Sequence, residues 1–120
     1  MSTSLAAIFH ETGRELELRQ LARPEPSGAE VVVRVLGCTL CGSDLHTFDG
    51  RRETPVPTIL GHEIVGEISA MGDAAPSCDL AGNDLRIGDR VTWSIVASCD
   101  ECFFCRRGLP QKCLAAVKYG

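Results

Sequence analysis

The sequence predicts a mainly β domain, an all-β barrel or sandwich of short strands with little helix. Three observations point there. The apolar runs are short and β-branched, with EVVVRVL at 30–36 the clearest. Glycine and proline punctuate the chain between them, in RPEPSG at 23–28 and TPVPT at 54–58. A long segment framed by glycines, GHEIVGEISAMG at 61–72, reads as a strand with the bends or close backbone approaches that small barrels need. The 120 residues suit one domain with a single modest core, and 44% hydrophobic with 23% charged residues is ordinary for a soluble protein.

Taken in order, Leu5 to Phe9 and Glu15 to Ala22 suit two strands, with Glu11 to Gly13 turning between them. The prolines at 24 and 26 force a loop, because each restricts its predecessor and removes a donor. Glu30 to Leu36 follows as a strand expected to be largely buried. In CTLCGSDLHTFDG, Ser43 and Asp44 can cap or open a short helix. After the second proline loop comes the glycine-framed strand, then a polar surface loop from Asp73 to Ile87. Gly88 starts a further strand running to about Val96, which delivers the chain to its cysteines. No internal repeat or low-complexity segment interrupts this order.

A net charge of −4 argues against a nucleic-acid partner, which needs a basic face to meet phosphates. The N-terminal stretch has no basic leader, and the apolar run from Leu5 to Phe9 is too short for a signal peptide or a membrane span. A cytoplasmic protein with no membrane association is expected.

In such a compartment CDECFFCRRGLPQKC reads as a metal site. Cys99, Cys102, Cys105 and Cys113 lie within fifteen residues, and thiols at this spacing can turn their sulfurs to one point around zinc. A pair of disulfides suits an oxidising compartment, and a redox dithiol comes as a single pair beside a βαβ pattern, so both are disfavoured. With four thiolates filling the coordination sphere, such a zinc folds the lobe rather than catalyses. Arg106, Arg107, Lys112 and Lys118 are placed to offset the resulting charge.

A second group is Cys41, just after a strand, with His62 and Glu63 at another strand's entrance. Thiol, imidazole and carboxylate are all zinc ligands, and catalytic zinc takes three protein ligands with a fourth position open. The run CGSDLHTFDG, then GHEIVGEISAMG, GDRV and CDECFFCRRGLPQKC, resembles the N-terminal, GroES-like domain of zinc-dependent alcohol dehydrogenases of the medium-chain dehydrogenase/reductase family. The resemblance covers nearly the whole chain. It implies a GroES-like barrel over residues 1–120, with a structural zinc lobe at 99–113.

The resemblance also implies roles. Cys41 and His62 are two ligands of a catalytic zinc, Glu63 is the acidic neighbour that approaches or ligates it, and Asp44 holds the ligand histidine. Ser43 is the hydroxyl that meets the alcohol oxygen and His46 the end of a proton relay, with Phe48 and Ile95 expected at the substrate pocket. The reaction implied is oxidation of an alcohol or polyol to a carbonyl with NAD or NADP. Family enzymes continue into a Rossmann domain with a GxGxxG loop, which is absent from these residues, so the 120 residues alone are expected to be inactive. The third protein ligand of the catalytic zinc normally lies beyond this segment, and Gly42 stands where some members place a basic residue beside the cofactor pyrophosphate. Cys38 is expected to be a buried strand-end thiol and Cys78 an ordinary loop cysteine. The alternative is a stand-alone zinc-binding or protein-interaction module; it has no need of Ser43, Asp44, His46 and Glu63 around the Cys41/His62 pair.

Overall fold

The computed structural model describes residues 2–119. Strands β1 (Thr3–Ile8) and β2 (Glu17–Ala22) form an antiparallel hairpin in which Ile8 faces Glu17 and Thr3 faces Ala22. At its turn Gly13 takes a φ of 81°, a left-handed conformation that glycine adopts without a Cβ penalty. The hairpin mouth is clasped by Glu17, whose carboxylate meets His10 Nε2 at 2.7 Å and the Arg19 guanidinium at 2.8 Å. A bridge from Phe9 to Thr58 ties the hairpin to the second proline loop.

Strands β3 (Val31–Thr39), β4 (Glu63–Met71) and β5 (Arg90–Thr92) form an antiparallel sheet with β4 in the middle. The β3–β4 register slips at Val32/Val33 and again at Val35/Gly37. Each irregularity bends the ladder and increases its twist, which is how a short sheet curls. Gly66 lets the two backbones close in, since a Cβ there would stand 2.2 Å from Val33 Cγ1 and 2.8 Å from the Arg34 carbonyl oxygen. The one α-helix among the described residues, α1 (Gly42–Phe48), follows β3 directly. Beyond β5, β6 (Val96–Ala97) pairs with β7 (Val117–Lys118), and single 3₁₀ turns at Cys105–Arg107 and Pro110–Lys112 shape the lobe between them.

The structure differs from expectation in four places. The strand expected from Gly88 to Val96 is two pieces in different sheets, because the chain leaves the β4 ladder after Thr92. Strand β3 runs on to Thr39, since the irregularity at Val35/Gly37 absorbs the glycine rather than ending the strand. EVVVRVL is not largely buried. Side chains leave a strand through the faces of its sheet, and these faces are uncovered here, with Val35 57% and Leu36 42% exposed. Cys38, on the same strand, is likewise exposed rather than buried.

Among the described residues the buried apolar side chains are Ile8, Phe9, Ile68 and Cys113, with the Phe48 ring packed on Phe9 at 6.1 Å. The radius of gyration is 15.7 Å. A compact chain of this length would give about 13.6 Å. The molecule is correspondingly flat, 44 × 38 × 21 Å. No helix among the described residues is long and apolar enough to cross a membrane.

Candidate metal centres

In the lobe, the Cys99, Cys102, Cys105 and Cys113 sulfurs all lie within 4.8 Å of one another. Cys102 and Cys105 are 3.5 Å apart, and Cys99 and Cys105 are 4.0 Å apart. Four sulfurs about 2.3 Å from a central zinc stand about 3.8 Å from each other, so the donor set fits a tetrahedral ion. No pair is joined as a disulfide. The backbone turns its N–H groups onto the sulfurs: Cys99 and Ala115 donate to Cys113 Sγ at 3.3 and 3.4 Å, and Cys102 donates to Cys99 Sγ at 3.4 Å. Such bonds stabilise thiolates by spreading their charge.

The effect is uneven. N–H groups of Cys105 and Leu114 lower the Cys102 thiol from its ordinary 9.0 to about 6, whereas burial and then the neighbouring Cys102 sulfur push Cys105 up to about 12. Cys102 therefore ionises before Cys105. The basic side chains of the lobe do not reach the sulfurs directly. Arg107 instead lies over the Phe103 ring at 3.5 Å and donates to the Phe103 carbonyl at 3.0 Å.

The second site is built around one carboxylate. Asp44 is the third residue of α1 and is only 3% exposed. Its Oδ2 accepts the Cys41 N–H at 2.9 Å, its Oδ1 accepts the Gly61 N–H at 3.2 Å, and Oδ1 also lies 3.5 Å from His62 Nδ1. Helix start and strand entrance are thus pinned to a single side chain. Neither Ser43 nor Asp44 is the N-cap of the helix. Cys41 is, in an extended conformation, and Asp44 returns to cap it. With its Nδ1 beside Asp44, buried His62 turns Nε2 toward Ser43 Oγ at 3.5 Å. Hydrogen bonds from the Ser43 side chain and backbone, and then from His62, lower the Cys41 thiol; its burial and the Glu63 charge oppose this.

His62 and Glu63 open onto a groove of about 570 Å³, walled by Cys38, Thr39, Trp93 and Ile95 among others. Ile95 therefore stands on the wall of this groove. Phe48 does not line it, because its ring turns back onto Phe9. Ser43 is drawn to His62, and His46 lies one helical turn further on, exposed to solvent. Glu63 stands apart. Its Oε2 accepts the Thr39 hydroxyl at 2.7 Å, and among the described residues Cys41, His62 and Glu63 do not gather as the four lobe thiols do. Trp93 and Thr39 were not singled out from the sequence. The cross-strand register that brings Thr39 to Glu63 is the information that was missing.

A family model for the alcohol dehydrogenase GroES-like domain matches residues 27–120. The chain belongs to this family. Among curated relatives of this GroES-like domain is the zinc-type alcohol dehydrogenase B of Aspergillus flavus, 34% identical over 116 residues, covering 96% of the chain and 25% of that protein. Another is the sorbitol dehydrogenase of Bacillus subtilis, 34% identical over 112 residues, covering 90% of the chain and 30% of that protein. A solved alcohol dehydrogenase from Thermotoga maritima superposes with a TM-score of 0.85 at 28% identity, over the whole chain and 33% of that structure. The mainly β, GroES-like fold expected from the sequence is therefore the fold of this chain. It spans a quarter to a third of the length of these relatives.

Proposed function

We propose that this GroES-like domain is the zinc-binding catalytic part of a dehydrogenase that oxidises an alcohol or polyol to a carbonyl, with NAD(P)⁺ accepting the hydride from a nucleotide-binding domain joined to it. The observation that carries the reading is the Cys41–Asp44–His62 arrangement, whose His62 lines the groove. Its donors, a thiol held toward the thiolate and an imidazole whose other nitrogen faces a buried carboxylate, supply two of the three protein ligands that a catalytic zinc takes.

Zinc, when bound, supplies Lewis acidity that makes an alcohol hydroxyl easier to deprotonate. Cys41 and His62 would hold it, and Asp44 would fix the His62 tautomer so that Nε2 stays free to ligate. Ser43 Oγ would take the substrate proton and pass it along the helix face to His46, which meets solvent. Trp93 and Ile95 would wall the substrate's carbon skeleton, and the four-thiol lobe would hold a second zinc with a purely structural role. Seven unpaired cysteines support a reducing compartment such as the cytoplasm. The net charge of −4 supports small-molecule rather than nucleic-acid partners.

The test is zinc content with activity. In protein joined to its nucleotide-binding domain, Cys99→Ala is expected to lose one zinc equivalent. Cys41→Ala is expected to lose the other, together with alcohol-dependent NAD(P)⁺ reduction. Unchanged zinc content and turnover in Cys41→Ala would overturn the proposal.

A further inference from the structure

We propose that Thr39 is a positioning residue that holds the Glu63 carboxylate on the strand side of the groove, away from Cys41 and His62, so that Glu63 joins a metal there only when this bond opens. The inference rests on the Cys41/His62 reading above and adds the device that sets the third donor.

Four observations carry it. Thr39, the last residue of β3, lies directly opposite Glu63, the first residue of β4, so the two side chains are cross-strand neighbours. The Thr39 hydroxyl donates to Glu63 Oε2 at 2.7 Å, a well-formed O–H···O separation. Glu63 has no other side-chain hydrogen-bond or ion-pair partner among the described residues, so this one contact sets where the carboxylate points. Thr92, the other threonine on the groove, has its hydroxyl committed to the Ile64 carbonyl at 2.8 Å and does not compete.

The result is a carboxylate adjacent in sequence to His62 that nevertheless does not converge with Cys41 and His62. Threonine suits the task because its branched Cβ restricts χ1 and keeps the hydroxyl in one direction. Glutamate suits it because rotation about its own side-chain bonds swings the carboxylate without moving β4. The pair therefore has two arrangements. In one, Glu63 is bonded to Thr39 and the metal position stays open to water or substrate; in the other, Glu63 is released and occupies it.

The experiment is a Co²⁺ titration of protein whose four-thiol lobe has first been filled with one equivalent of zinc, following the thiolate-to-cobalt absorption, with Cys41→Ala as the blank. Thr39→Val is expected to bind the second metal about fivefold more tightly, the factor corresponding to one net hydrogen bond no longer opposing it. Its visible bands should shift as a carboxylate oxygen replaces water. Thr39→Ser is expected to behave as wild type because it keeps the hydroxyl, and Thr39→Ala to behave as Thr39→Val. Glu63→Gln in the Thr39→Val background should cancel the gain, which a merely structural effect of the valine would not. If Cys41→Ala removes a second cobalt but Thr39→Val and Thr39→Ala match wild type in affinity and spectrum, the latch is overturned and the Cys41/His62 reading stands. If no variant takes up a second cobalt, Thr39→Val included, the freed Glu63 adds no donor to Cys41 and His62 and the latch is overturned.

Discussion

Replacing Asp44 by alanine tests the organisation of the second site without reference to any metal. The carboxylate is 3% exposed and accepts two backbone N–H groups, Gly61 at 3.2 Å and Cys41 at 2.9 Å. Alanine leaves both donors without a partner. A buried orphan donor costs about 1–3 kcal/mol, and the half-buried Cys41 N–H, where water can substitute, costs nearer the ~1 kcal/mol of a lost helix cap. Together these give about 3 kcal/mol. The assay is urea unfolding with one equivalent of zinc, which fills the four-thiol lobe alike in both proteins. The midpoint should fall by the amount equivalent to that loss, with an unchanged slope. A loss below about 1 kcal/mol at constant slope would mean that the two N–H groups find other partners. The carboxylate would then not be what holds helix and strand together.

Three further outcomes are expected. Gly66→Ala forces a methyl to 2.2 Å from Val33 Cγ1 and 2.8 Å from the Arg34 carbonyl. It should destabilise by about 1–3 kcal/mol or more in a thermal melt, as overpacking does. In metal-free protein at pH 7, iodoacetamide followed by mass spectrometry should modify Cys102 before Cys105, following their displacement to about 6 and about 12, and zinc should protect both.

The same displacements set a pH dependence for the metal-free lobe. Cys102 titrates lower folded than unfolded, so its contribution is present above the ordinary 9.0 and is lost as pH falls through about 6. Cys105 titrates higher folded, so its contribution is present below 9.0 and is lost as pH rises through about 12. Stability followed by hydrogen exchange in the lobe should therefore peak near pH 9, and a monotonic profile would contradict these assignments.

Spacing was enough to read the lobe, because four thiols within fifteen residues have few ways to arrange themselves other than about a point. The Cys41, Asp44 and His62 grouping was legible only through resemblance, since nothing local says that residue 44 will reach residues 61 and 62. Side-chain roles that depend on register were not legible. Thr39 meets Glu63 through strand pairing, and the two slips in the β3–β4 ladder that fix this register have no sequence signal beyond a glycine. The packing of Phe48 on Phe9 was not legible either, because it depends on the phase of α1 and on the position of the hairpin. The exposure of Val35 and Leu36 follows from the faces of β3 being left uncovered there, a matter of tertiary packing that β-branched composition does not encode.

The base of the lobe has a consequence for the groove. Strands β6 and β7 close it with two residue pairs, Tyr119 N–H donates to the Ile95 carbonyl at 3.1 Å, and the Tyr119 ring meets Trp93 edge-on at 6.3 Å. The chain entering the thiol cluster and the chain leaving it are thus laced together at the residues that wall the groove. Ordering one end favours order at the other, and by thermodynamic reciprocity the influence runs both ways. A small molecule seated against Trp93 and Ile95 is expected to slow the escape of zinc from four sulfurs it never touches. Zinc release to a chromogenic chelator, timed with and without such a ligand, measures that link, and equal rates would show that the two ends are independent.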